Sequence, residues 1–174
     1  MWVFEKDAEG FEDPLEAVCY SKENTVYFLE EGKVLWVADA TRTLHEFALW
    51  CAEEALEGVD NPHPRNLEAI RVKRLWLDGE ATDEGLEEAR RAAYNASLRV
   101  AYDLAWEAVW DVAYDATCSV AWEAAYDVAW WSLHSPFGEA HSKELERRLL
   151  ELRPEPKDLP KKRSVYELLD EDLF

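Results

Sequence analysis

Between Arg99 and Lys143 the chain has no lysine and no arginine. A helix there has no cation of its own to offset its acids. The stretch also lacks the basic side chains that a phosphate backbone requires. Cysteine is sparse: Cys19, Cys51 and Cys118 stand far apart, odd in number and without a CxxC pair. That argues against a disulfide framework. With no charged-then-apolar leader at the start, we expect a reducing, cytoplasmic setting, the host cytoplasm if the gene is phage-borne. There is no Gly-rich phosphate loop, no G-x-S-x-G and no H-E-x-x-H. We therefore assign no catalytic residue and expect no cofactor and no metal. His45 and Cys51 lie six apart on one predicted helix and do not face a common ion. His134 and His141 flank a Pro-Phe-Gly turn and read as structural or exposed. The longest apolar-looking run, 100–131, carries an acid nearly every turn, so it is not a membrane span.

Charge of one sign dominates. There are 38 acids against 19 bases, a formal net charge of −19. Residues 1–60 hold 15 acids and four bases, residues 61–99 seven of each. Residues 100–142 hold seven acids and no base, and residues 143–174 nine acids and eight bases. Direct nucleic-acid binding by the whole surface is disfavoured, and attraction to a basic protein surface is favoured.

Val100–Trp131 reads in fours as VAYD, LAWE, AVWD, VAYD, ATCS, VAWE, AAYD, VAWW. Aromatics fill the third place: Tyr102, Trp106, Trp110, Tyr114, Trp122, Tyr126 and Trp130. Acids fill the fourth: Asp103, Glu107, Asp111, Asp115, Glu123 and Asp127. A strand of that length is excluded, and alanine density favours helix. One four-residue step on a helix advances ~6 Å and overshoots a full turn by ~40°. Both stripes therefore wind around the helix, and no single flat partner covers the aromatics. Successive like charges at i,i+4 cost roughly 0.2–0.5 kcal/mol per pair in an isolated helix. A solvated face, or pairing with cations from elsewhere in the chain, explains the acids without a partner. A row of carboxylates offered to a basic groove explains them through function. The rings are core by default, since base stacking wants basic neighbours. Acids at one per turn make a poor cation cage.

The expected fold is α+β, mainly α. A small antiparallel β-meander (1–40) packs on a helical bundle (43–152) that contains a long Ala/aromatic helix. Together these form one domain, 1–152, followed by a Pro-rich linker and acidic tail, 153–174. Strands are expected at Trp2-Val3-Phe4, Ala17–Tyr20, Thr25–Leu29 and Lys33–Val37, the last two joined through Gly32. A first helix runs from Leu44 to Leu56, with Thr43 and Glu46 as a capping box. A second, basic helix follows Pro64 from Arg65 to Leu77. Thr82 or Asp83 caps a third. Unbroken to Leu133, it would run ~77 Å, about twice the width of a compact domain, so at least one break or kink is expected. Ser142 is expected to cap a last helix, Lys143–Leu152. Lys161-Lys162-Arg163 reads as solvated linker, and Val165–Phe174 packs back onto the domain.

From Leu44 to about Ser97 the chain resembles the Imm-5-like family of bacterial immunity proteins. The residues that carry the likeness are Ala48, Leu49, Trp50, Cys51, Ala52, Glu53, Pro64, Arg65, Glu68, Ala69, Ile70, Trp76, Gly79 and Glu80. Similar Ala/Trp/Asp repeats occur in phage proteins. The resemblance implies an all-α, non-enzymatic, toxin-neutralising protein, and the β-rich start and the tetrads depart from it. The expected function is a non-catalytic inhibitor whose carboxylates Asp103, Glu107, Asp111, Asp115, Glu123 and Asp127 occupy a basic surface. That surface belongs to a toxin nuclease or to a CRISPR or restriction effector, with no direct nucleic-acid or membrane binding. The alternative is an assembly module whose aromatic tetrads form a homo-oligomer interface. A hydrolase using clustered acids and His45 is the weakest reading.

Overall fold

Trp2, Phe28 and Trp36 lie side by side on three antiparallel strands, and the sheet is built around them. Trp2 pairs with Phe28, and Phe28 with Trp36. The Phe28 and Trp36 rings stack at 5.6 Å, and Trp2 meets each of them edge-on. Such ring pairs add to plain area burial. The computed structural model describes residues 1–3, 10–19, 23–31, 33–57, 59–98, 138–154 and 163–164. In order, the elements are β1 (Trp2–Val3), α1 (Pro14–Cys19), β2 (Thr25–Glu30), β3 (Lys33–Asp39) and α2 (Thr41–Glu57). They continue with α3 (Pro64–Leu77), α4 (Asp83–Leu98), α5 (Gly138–Glu151) and β4 (Arg163–Ser164). The sheet order is β1-β2-β3-β4, antiparallel throughout. The chain is thus α+β and mainly helical, with three of the four strands of its sheet in the N-terminal region. The long tetrad helix and its expected break lie outside the described residues.

The β2–β3 hairpin turns where expected. Glu30 opposes Lys33, and Glu31 takes a positive φ of 52° in the two-residue loop. Three helix starts, those of α1, α2 and α5, differ from expectation. Ala17–Cys19 belongs to α1, not to a strand. Asp13 accepts a hydrogen bond from the Leu15 amide at 2.8 Å, and Pro14 fills the first turn. That cap overrides the β-like look of Val18-Cys19. Helix α2 starts at Thr41, three residues before Leu44. Asp39 accepts from the Thr41 amide at 2.8 Å and from its hydroxyl at 2.5 Å. Those bonds hold the Asp39 carboxyl below its ordinary pKa, the hydroxyl bond contributing most. Thr43 is therefore buried inside the helix, and Glu46 pairs with Arg42 instead of closing a capping box.

Helix α3 follows expectation, with Pro64 in its first turn, Asp78 at its end and Gly79 at φ 75°. That is the left-handed stop only glycine takes without strain. Thr82 caps α4, accepting from the Gly85 amide at 3.2 Å. Helix α5 begins at Gly138, so Ser142 lies inside it. Its hydroxyl donates to Asp13 at 2.7 Å and ties α5 to the start of α1.

Helix α2 is central. Phe47, Ala48, Cys51 and Ala52 are fully buried and share one core with Trp2, Val26 and Trp36 of the sheet, Leu15 of α1, and Leu145 and Leu149 of α5. A smaller cluster joins α3 to α4 through Ala69, Ala89 and Ala93. Among the described residues no helix is long and apolar enough to cross a membrane.

Candidate functional site

Ion pairs define the surface of the helices. Glu53 of α2 accepts from Arg74 of α3 at 2.6 Å, bridging the two helices. Arg42 pairs with Glu46 at 2.6 Å, reaches Asp78 at 3.5 Å, and donates to the Leu77 carbonyl at 2.8 Å, tying the start of α2 to the end of α3. Arg71 holds Glu68 along α3, and Glu87 of α4 is shared by Arg90 and Arg91. On α5, Lys143 holds Glu139, while Arg147 and Arg148 converge on Glu144, each at 2.7 Å, and Arg147 also meets Glu151. The Arg147 hydrogen bond, then that from Arg148, pulls the Glu144 carboxyl down to about 2. Exposed pairs of this kind stabilise little individually. Their consequence is positional: among the described residues Arg42, Arg71, Arg74, Arg90, Arg91, Arg147 and Arg148 already hold acids beside them, and of the guanidiniums of α2 to α5 Arg65 is the exception.

Among the described residues one cation is inside. Lys73 of α3 is fully buried, on a stripe with Asn66, Ala69 and Ile70. Its Nζ lies 3.1 Å from Nδ1 of His45 on α2 and 4.1 Å from the centre of the Trp76 ring. An ammonium can only donate, so Nδ1 of His45 is the lone-pair nitrogen. Burial, then the Lys73 charge, pushes His45 down to about 3, so the ring is neutral near pH 7. Trp76 is fixed in turn by donating Nε1–H to Asp83 at 2.6 Å. A desolvated cation over an indole is worth roughly 2 kcal/mol. His45 is 2 % exposed and carries this contact, so it offers no base to a substrate.

His141 of α5 is also buried, edge-on to Trp50 at 5.3 Å, and burial lowers its pKa. The Cys51 thiol is pushed up, chiefly by burial, and stays protonated. Among the described residues no three His, Cys, Asp or Glu side chains come together in a way that could hold a metal ion.

The six predicted partner-binding carboxylates, Asp103, Glu107, Asp111, Asp115, Glu123 and Asp127, lie outside the described residues, as does His134. The residues behind the family resemblance fall within them, and their roles are architectural. Ala48, Cys51, Ala52 and Ile70 lie in the main core, Ala69 joins α3 to α4, Glu53 bridges α2 to α3, and Pro64 and Gly79 bound α3. Sequence reasoning missed the His45–Lys73–Trp76 cluster. A signal existed: Lys73 sits four residues after Ala69 and three after Ile70, on the apolar stripe rather than opposite it. No protein-family model, curated protein or solved structure matches the chain.

Proposed function

We propose that the protein is a non-catalytic acidic inhibitor that occupies the basic surface of a nucleic-acid-handling protein. The partner is a toxin nuclease, in an immunity role, or a CRISPR or restriction effector, in an anti-defence role. Asp103, Glu107, Asp111, Asp115, Glu123 and Asp127 supply the contact, spaced along the chain much as phosphates are along a strand. The observation that carries this reading is the employment of most of the exposed cations on α2 to α5. Arg42, Arg71, Arg74, Arg90, Arg91, Lys143, Arg147 and Arg148 each already hold an acid of α2 to α5 or of the turn after α3. The acids of residues 100–142 bring no cation of their own. A basic partner then supplies the missing charge, and the attraction speeds encounter at low salt. The test is a binding titration against purified nuclease toxins and CRISPR or restriction effectors at rising salt. The expected result is a complex whose affinity falls about tenfold or more between ~0.05 and ~0.5 M salt, as charge pairing requires. A complex indifferent to salt contradicts the reading.

A further inference from the structure

We draw no further inference here: the strongest candidate, the His45–Lys73–Trp76 side-chain cluster between α2 and α3, belongs to the site already described and holds its two nitrogens out of a ligand's reach, with Lys73 0 % and His45 2 % exposed.

Discussion

Helix α4 and the tetrad stretch are both rich in alanine and acids, yet the segment that holds α3 and α4 arranges its charges in the opposite way. Residues 61–99 carry seven acids and seven bases. Glu68 and Glu87 find their guanidiniums three or four residues away, and Arg74 finds Glu53 across the helix pair. Residues 100–142 carry seven acids and no base. The difference teaches what local charge pairing is for. Where a segment only has to form a helix and pack, opposite charges sit at i,i+3 and i,i+4 because that spacing brings side chains together. Where the sequence offers no base between Arg99 and Lys143, helix stability alone does not account for the pattern.

The largest expected effect breaks the comparison on its acidic side. Changing Asp103, Glu107, Asp111 and Asp115 together to Lys should abolish partner binding in the titration above and leave the far-ultraviolet circular dichroism unchanged. A variant that still binds removes these acids from the interface. The next effect falls on the scaffold. Trp36 is 1 % exposed and stacked on Phe28, so Trp36→Ala should cost about 3–5 kcal/mol in urea unfolding, the usual range for emptying a large aromatic site. A loss under about 1 kcal/mol would show that the site is not well packed.

Acid should find the buried histidines. The folded pKa of His45 is about 3 and that of His141 is also below the ordinary 6.5, so the unfolded chain takes up protons first. Their neutral forms are fully compatible with the fold above pH 6.5. Stability should fall as pH drops from 6.5 toward 3, by up to ~1.4 kcal/mol per unit for His45. Glu144 adds to the loss below 4.5, as its carboxylate is protonated toward its folded value of about 2. Urea midpoints at pH 7, 5.5 and 4.5 measure this, and His45→Gln should flatten the upper part of the slope. The smallest effects sharpen the role of the ion pairs. Glu144→Gln should cost about 1 kcal/mol, because the half-buried Arg148 loses its charged acceptor. Glu139→Gln, at a pair 71 % and 83 % exposed, should leave the melting temperature unmoved.

Much of the scaffold could be read from residues whose physics is local. The hairpin followed from alternating apolar strands about Glu31-Gly32, and α3 from Pro64 at one end and Gly79 at the other. The misreadings came from local signals that competed. Ala17-Val18-Cys19 looked like strand, but Asp13-Pro14 just before it is a helix start, and capping won. The T-x-x-E match at Thr43–Glu46 was met by chance inside a helix already begun by Asp39. Ser142 looked like a cap because Gly138 was not expected to open a helix. The candidate site divides along the same line. The absence of cations between Arg99 and Lys143 is plain in the sequence. That Lys73 meets His45 across 28 positions is a tertiary fact, which a basic-looking helix conceals.

The central claim is that the carboxylates of the tetrads are open to a partner while Glu53 of α2 and Glu144 of α5 are engaged at home. Carboxyl labelling with a water-soluble carbodiimide and a small amine, read by mass spectrometry, tests it within one sample. Asp103, Glu107, Asp111, Asp115, Glu123 and Asp127 should label as fast as the exposed Glu84 and faster than Glu53 and Glu144, whose side chains are 27 % and 21 % exposed and held by arginines. Labelling as slow as that of Glu53 and Glu144 would mean that the chain's own structure already covers or neutralises them, and would contradict the claim.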